Sequence, residues 1–258
     1  MDATVELYCE DRGKGPLPLV LVHGFPFEHS LWNEVAAQLE SETRLLLPDL
    51  RGYGLSPAPE GIYTMEAMAA DLKVLLDRLG IQRVALAGHS MGGYVALAFA
   101  EAYPERLAGL AMVMSAAAAD APERKTARYQ QAEEIARQGV GILEGSLERY
   151  SPVAEARERV RGWMRRARPV AVQGALMGMA ERPDRLEVLA GLRVPVEIIS
   201  GDLDVLIPME RSREMAEKLW DGNLTILPGA GHMPMLEMPA STAAALRAFM
   251  ARCVTAGM

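Results

Sequence analysis

A side-chain hydroxyl does acyl-transfer chemistry only when it is held outward, within reach of a base, and beside donors that can take the developing negative charge. One segment of this chain, Gly88-His89-Ser90-Met91-Gly92-Gly93, has the composition to meet those conditions. It directly follows the apolar run Val84 to Ala87 and leads into a helical run from Tyr94 to Ala102. A strand that turns into a helix so abruptly must hold Ser90 in a strained backbone conformation, and small residues two before and two after it prevent a clash. The hydroxyl is then presented at the sheet edge. The N–H of Met91, at the start of the helix, points toward the same space with the positive end of the helix dipole behind it, where an oxyanion can sit.

The base must come from four histidines, His23, His29, His89 and His232. His89 adjoins the serine on a tight turn whose consecutive side chains diverge, so it is expected to pack beside the site. His23 and His29 precede the nucleophile in a loop with another use. His232 lies in Pro228-Gly229-Ala230-Gly231-His232-Met233-Pro234, a glycine-rich loop that follows the last expected strand and can carry an imidazole over the strand ends. An acid to orient it should also leave a strand end, and Ile198-Ile199-Ser200-Gly201-Asp202-Leu203-Asp204 offers two. Asp204 is favoured, because the turn at Gly201 lets the later aspartate swing back before Pro208 begins a helix; Asp202 is expected to cap that turn.

These residues need a parallel sheet to bring them together, and the pattern supplies one. Strands are expected at Thr4 to Glu10, Leu17 to His23, Arg44 to Pro48, Arg83 to Ala87, Leu107 to Ser115, Val194 to Ser200 and Asn223 to Leu227. Leu19 to Val22 and Val84 to Ala87 are apolar without alternation, as in strands buried on both faces. Helical spacing covers Ser30 to Leu39 and Thr64 to Leu79, the latter with Thr64 as N-cap and Gly80 as stop. Further helices are expected near Met209 to Trp220 and from Pro239 to Arg252. Between 116 and 193 the texture becomes rich in Arg, Glu, Ala and Gln and is broken by glycines and prolines, with no evident strand. It reads as a helical cap inserted between two strands of a core formed by 1–115 and 194–258.

Composition narrows the function. Of 258 residues, 50% are hydrophobic and 24% charged, with a net charge of -7 at pH 7, the balance of a globular domain with a sizeable core. No long basic run could follow a phosphate backbone, which argues against a nucleic-acid partner. The chain opens without a basic segment and apolar h-region, and no stretch approaches a membrane span, so a cytoplasmic protein without a membrane partner is expected. Cys9 and Cys253 make neither a disulfide framework nor a metal-ligand set.

With these residues in place the chain resembles the α/β-hydrolase superfamily over nearly its whole length, in the branch of small bacterial carboxylesterases, 3-oxoadipate enol-lactonases and cofactor-free haloperoxidase-like esterases. The order Ser90, Asp204, His232 matches the family's order of nucleophile, acid and histidine. The resemblance implies a mostly parallel central sheet flanked by helices, with a small helical cap. His23-Gly24-Phe25-Pro26 is similar to the family's oxyanion loop, which implies that the N–H of Phe25 is the second donor beside Met91. Asp49-Leu50-Arg51-Gly52-Tyr53-Gly54-Leu55-Ser56 is similar to a segment that shapes a turn beside the site in relatives. Branches that use aspartate as nucleophile, the haloalkane dehalogenases and epoxide hydrolases, are disfavoured by Ser90.

The chemistry expected is therefore hydrolysis of a small ester or lactone through an acyl-enzyme, with no cofactor and no metal. Trp32, Tyr94, Trp163, Met209 and Met233 are pocket candidates, and Phe25, Phe27, Met91, Met114, Met177 and Met179 serve equally as pocket or core. A carboxylesterase on short to medium acyl esters is the first reading. An enol-lactonase or C–C hydrolase on a carboxylated metabolite is the second, and would need arginines such as Arg124, Arg128 or Arg165 to hold the carboxylate. A ligand receptor with a residual triad is a third.

Overall fold

The computed structural model describes residues 4–220 and 222–256. Seven strands form one sheet in the order β1-β3-β2-β4-β5-β6-β7. They are β1 (Cys9–Arg12), β2 (Leu19–Val22), β3 (Leu45–Pro48), β4 (Val84–His89), β5 (Leu107–Val113), β6 (Val196–Gly201) and β7 (Gly222–Leu227). All neighbours run parallel except β1, which pairs antiparallel with β3 at the edge. β2 through β6 are buried along their whole lengths, which is why they read as unbroken apolar runs rather than alternating ones.

Helices cover the sheet through the faces their sequences make apolar. α1 (Asn33–Leu39) packs on α10 (Pro239–Ala256), and the short α9 (Pro234–Glu237) touches both. On the other side α2 (Met65–Arg78), α3 (Met91–Ala102), α7 (Leu186–Gly191) and α8 (Met209–Lys218) neighbour one another in turn. The Thr64 hydroxyl accepts the Ala67 N–H at the start of α2, and Gly80, at φ +67, ends its C-terminal turn. No helix among the described residues is long and apolar enough to cross a membrane.

The chain passes from β2 out to β3 and back across to β4, so its winding reverses beside β4. Crevices at such reversals lie outside the carboxyl ends of the strands and are where open sheets bind ligands. Ser90 follows the last residue of β4.

Between β5 and β6 the chain is helical: α4 (Pro122–Gln138), a 3-10 segment at Val140–Arg149, α5 (Ala154–Arg166), α6 (Pro169–Glu181) and then α7. α4 packs on α6 and α5 on the 3-10 segment, whereas α7 returns to the layer of α3 and α8 against the sheet. The helical stretch read from the sequence as 116–193 thus includes one helix that packs with the sheet's own layer.

The first strand departs from expectation. Pairing begins at Cys9 rather than Thr4, because the earlier backbone donors are taken by side chains: Val5 N–H by the Asp71 carboxylate at 2.8 Å and Tyr8 N–H by the Ser56 hydroxyl at 2.9 Å. Asp71 also holds Arg51 in a buried bidentate pair at 2.6 and 2.8 Å, so the N-terminal segment is tied to the loop after β3 by a charge network rather than a ladder.

Candidate active site

Ser90 adopts φ 51 and ψ -116, a left-handed conformation that a residue with a Cβ enters only when its surroundings compel it. The turn is closed by small residues for a measurable reason. A Cβ on Gly88 would lie 2.3 Å from the Gly92 carbonyl oxygen, and one on Gly92 would lie 2.5 Å from that of Val22. The Ser90 N–H donates to the Val113 carbonyl of β5, and the Ser115 hydroxyl donates to the Ser90 carbonyl at 2.7 Å. The strained residue is thus fastened at both ends to the adjacent strand and the loop that follows it.

His232 is brought to the same place by a loop held at four points. Its N–H donates to the Tyr150 carbonyl at 3.0 Å, and its own carbonyl accepts the Nε2–H of His89 at 2.8 Å. The flanking N–H groups of Gly231 and Met233 donate to the two oxygens of Glu237. Its imidazole Nδ1 lies 2.8 Å from Asp204 Oδ2, and the other oxygen of Asp204 accepts the Leu206 and Ile207 N–H groups at 2.8 and 3.0 Å. The carboxylate is locked in orientation, so Nδ1 carries the proton and Nε2 is left as the basic nitrogen. Asp202 is exposed and accepts the Gly229 N–H at 2.6 Å, across the same turn but away from the imidazole.

Ser90 and His232 line one cavity of about 330 Å³, with Phe25, Tyr94, Tyr150 and Met179 among its other walls. Among the described residues no direct hydrogen bond joins the Ser90 hydroxyl to the imidazole, although both line the same space. Met91 is the first residue of α3, whose initial N–H groups have no preceding helical carbonyl to bond.

The other three histidines are spoken for. Burial, with His232 beside it, holds the His89 imidazole well below the usual histidine value, hence neutral; its Nδ1 has no hydrogen-bond partner among the described residues and abuts Gly24, where a Cβ would come within 2.5 Å. Burial also lowers His23, which accepts the Leu50 N–H at Nε2 and donates from Nδ1 to the Gly24 carbonyl. His29 is raised by its 2.8 Å hydrogen bond to Asp49. Asp49 also accepts the N–H groups of His29 and Leu55, so it joins the loop after β2 to the loop after β3; burial works to raise this carboxyl, but those bonds bring it below its usual value.

Glu28, His29 and Asp49 place ligand-type atoms within 4.8 Å of one another and are the group among the described residues that could hold a cation, a cluster without a signature in the sequence. The two cysteines are poor nucleophiles: burial pushes the Cys9 thiol up to about 12, and Cys253 is buried.

Of the five pocket residues expected from the sequence, Tyr94 lines the cavity and four do not. Trp32 and Met233 are fully buried core, because both face the packed interior beside His89 and the His232 loop. Trp163 donates its indole N–H to Glu28 and borders a separate cavity of about 270 Å³ near Pro26 and Arg168. Met209 opens α8 outside the lining, and its place is taken by Leu206 and Ile207, positioned by their bonds to Asp204. Ser115, Tyr150 and Glu237 fasten the site yet carry no local signal; each acts through a partner distant in sequence or through a backbone group. His89 does more than pack beside the serine, since its Nε2–H holds the His232 carbonyl.

A serine on a strand-to-helix turn, an imidazole on the loop after the last strand and a carboxylate after the strand between them meet at the carboxyl ends of a mostly parallel sheet. The chain belongs to the alpha/beta hydrolase fold family, whose model matches residues 18–239. Among solved structures it is similar to a thermophilic esterase from Thermogutta terrifontis with malate bound, at 38% identity and TM-score 0.93, covering 96% of this chain and 94% of that one. The enol-lactonase from Burkholderia xenovorans is similar at 27% identity and TM-score 0.85, covering 96% and 97%. A pimeloyl-[acyl-carrier protein] methyl ester esterase from Aeromonas salmonicida is 30% identical over 93% of this chain and 95% of its own length. The chain spans 62% of the length of another relative at 30% identity, the dihydrolipoyllysine-residue acetyltransferase component of an acetoin cleaving system from Pseudomonas putida.

Proposed function

We propose that this protein is a serine carboxylesterase acting on small esters through an acyl-enzyme. The observation that carries the reading is a serine forced into left-handed backbone geometry that shares one cavity with an imidazole whose Nδ1 is engaged by a buried, fully bonded carboxylate. In the proposed cycle Nε2 of His232 takes the Ser90 proton as Oγ attacks the ester carbonyl. Asp204 keeps the imidazole in the required tautomer and stabilises its cation. The N–H groups of Phe25 and Met91 receive the oxyanion. His232 returns the proton to the leaving alcohol, then activates water to release the acid and restore Ser90.

A cavity of about 330 Å³ is at the small end of the roughly 300–1,000 Å³ typical of ligand sites, which favours short to medium acyl groups. The malate held by the Thermogutta esterase is an acid of a size such a cavity admits as product.

The test is hydrolysis of p-nitrophenyl acetate and butyrate together with mass-spectrometric mapping of a fluorophosphonate adduct. Turnover lost in Ser90→Ala, with the adduct on Ser90, is expected; turnover that survives in that variant overturns the reading. A second reading, an enol-lactonase, is favoured by the likeness to the Burkholderia enzyme, since the same residues open a lactone as readily as an ester. Enol-lactone turnover at least about tenfold above that of open esters selects it.

A further inference from the structure

The cavity over Ser90 has a charge asymmetry that hydrolysis of a neutral ester does not use. Arg124, Arg128 and Arg149 all contribute to its lining, and among the described lining residues there is no carboxylate. The carboxylate that serves this wall is Asp120, which is nearly fully buried and is shared: it pairs with Arg182 at 2.9 Å, with Arg128, and with Arg124 at 3.4 Å. Asp120 therefore faces three guanidinium groups, with Asp184 adding a weaker pull on Arg182. Arg149, a solvent-exposed residue of the lining, adds a fourth, and its side chain makes no hydrogen bond or ion pair among the described residues.

One contact leaves an underused donor at the cavity, and two further observations show the positive charge around it. Arg128 directs an Nη1–H at the thioether of Met179, 3.3 Å away, and a thioether is a weak acceptor that a carboxylate displaces. Tyr150, which lines the same space and whose carbonyl holds the His232 loop, feels three guanidinium groups: burial pushes its hydroxyl up to about 12 against the pull of Arg128, Arg149 and Arg124. Behind Tyr94 the guanidinium of Arg182 stacks over the ring at 4.0 Å, so the wall is backed by positive charge as well as lined by it.

We infer that this cavity takes esters carrying a second, ionised carboxylate, received by Arg149 together with the free N–H groups of Arg128. This rests on the esterase reading of Ser90 and narrows its substrate class to acidic esters. The carboxylate can stand on the acyl part, as in a half-ester of a dicarboxylic acid, or on the alcohol part, as in an acylated hydroxy acid; the recognising chemistry is the same. A bidentate or paired guanidinium contact with a carboxylate also fixes the far end of the substrate, which holds the scissile carbonyl in place.

The experiment compares kcat/KM for monomethyl glutarate against methyl valerate, and for 3-acetoxypropanoate against its methyl ester, in the native protein, Arg149→Gln and Arg149→Lys, with Ser90→Ala as control. At least one acidic ester is expected to exceed its neutral counterpart by about tenfold or more, with the difference residing mainly in KM. That ratio should fall by about tenfold in Arg149→Gln and be partly restored in Arg149→Lys, a rescue that a merely structural arginine would not show. Ser90-dependent turnover in which both neutral esters do as well as their acidic partners, or in which Arg149→Gln leaves the ratio unchanged, overturns the inference and leaves the esterase reading standing. Absence of Ser90-dependent turnover on all four esters overturns the esterase reading, and the inference with it.

Discussion

Around Ser90 and His232 the sheet-side wall of the cavity is tied down by bonds to neighbouring strands and loops, whereas the facing helical wall holds guanidinium groups that share one carboxylate or have none. The Ser90 carbonyl and N–H, both backbone groups of His232 and both oxygens of Asp204 are engaged. Across the cavity, Arg149 is unpaired among the described residues and Arg128 spends a donor on sulfur. A reacting centre must hold its geometry to a fraction of an ångström, and local hydrogen bonds supply that stiffness before substrate arrives. A substrate-recognising wall has to keep donors in reserve.

The contrast can be broken at its stiff side first. Ser90→Ala should lower ester turnover by about 10⁶-fold, since the nucleophile acts with its partners as a unit; a loss of less than tenfold in a p-nitrophenyl ester assay would remove Ser90 from the mechanism. Asp204→Asn should cost about 10⁴-fold by disturbing the tautomer of His232, while Asp202→Asn, whose carboxylate only receives the Gly229 N–H, should stay within a few-fold. The reverse ranking in steady-state kinetics would transfer the acid's role to Asp202.

Stability against pH sharpens the same contrast, because the stiff side is built around buried neutral imidazoles. His23 and His89 are held below the ordinary histidine value of 6.5 by burial. The unfolded chain therefore binds protons that the folded chain refuses, so stability falls as pH drops below about 6.5, by at most about 1.4 kcal/mol per pH unit for each group. His29, raised by its bond to Asp49, contributes with the opposite sign: its stabilisation is complete below about 6.5 and is lost as pH rises through its folded value. Urea unfolding at pH 7 and pH 5 should show the net acid loss, and His89→Leu should flatten it; a steeper loss in that variant would contradict the neutral assignment. The smallest effect belongs to Arg165, one of the arginines a carboxylated substrate was expected to need. It pairs with Glu144 away from the cavity, so Arg165→Gln should change the acidic-to-neutral ester ratio by less than about twofold.

The parts of this molecule legible in its sequence are those encoded by short-range pattern. Val84 to Ala87 had to be a doubly buried strand, and the glycines around Ser90 announced a turn whose spacing is explained by the 2.3 and 2.5 Å approaches a Cβ would be forced into at Gly88 and Gly92. The start of the first strand is not legible, because Val5 and Tyr8 find their acceptors on Asp71 and Ser56, residues a local pattern cannot reach. Trp32 and Met233 belong to the core rather than the pocket for a related reason: aromatic and methionine side chains suit either setting, and only packing chooses.

By itself the sequence determined a mostly parallel sheet, a tight strand-to-helix turn at Ser90 and the pairing of His232 with Asp204 as the one to look for, since periodicity and glycine spacing act over a few residues. Tertiary structure alone decided that Tyr150, His89 and Glu237 hold the His232 loop, and that Arg149 faces the cavity while Arg165 faces Glu144. Those outcomes depend on where the helical stretch comes to rest over the strand ends, and that is set by contacts between residues far apart in the chain.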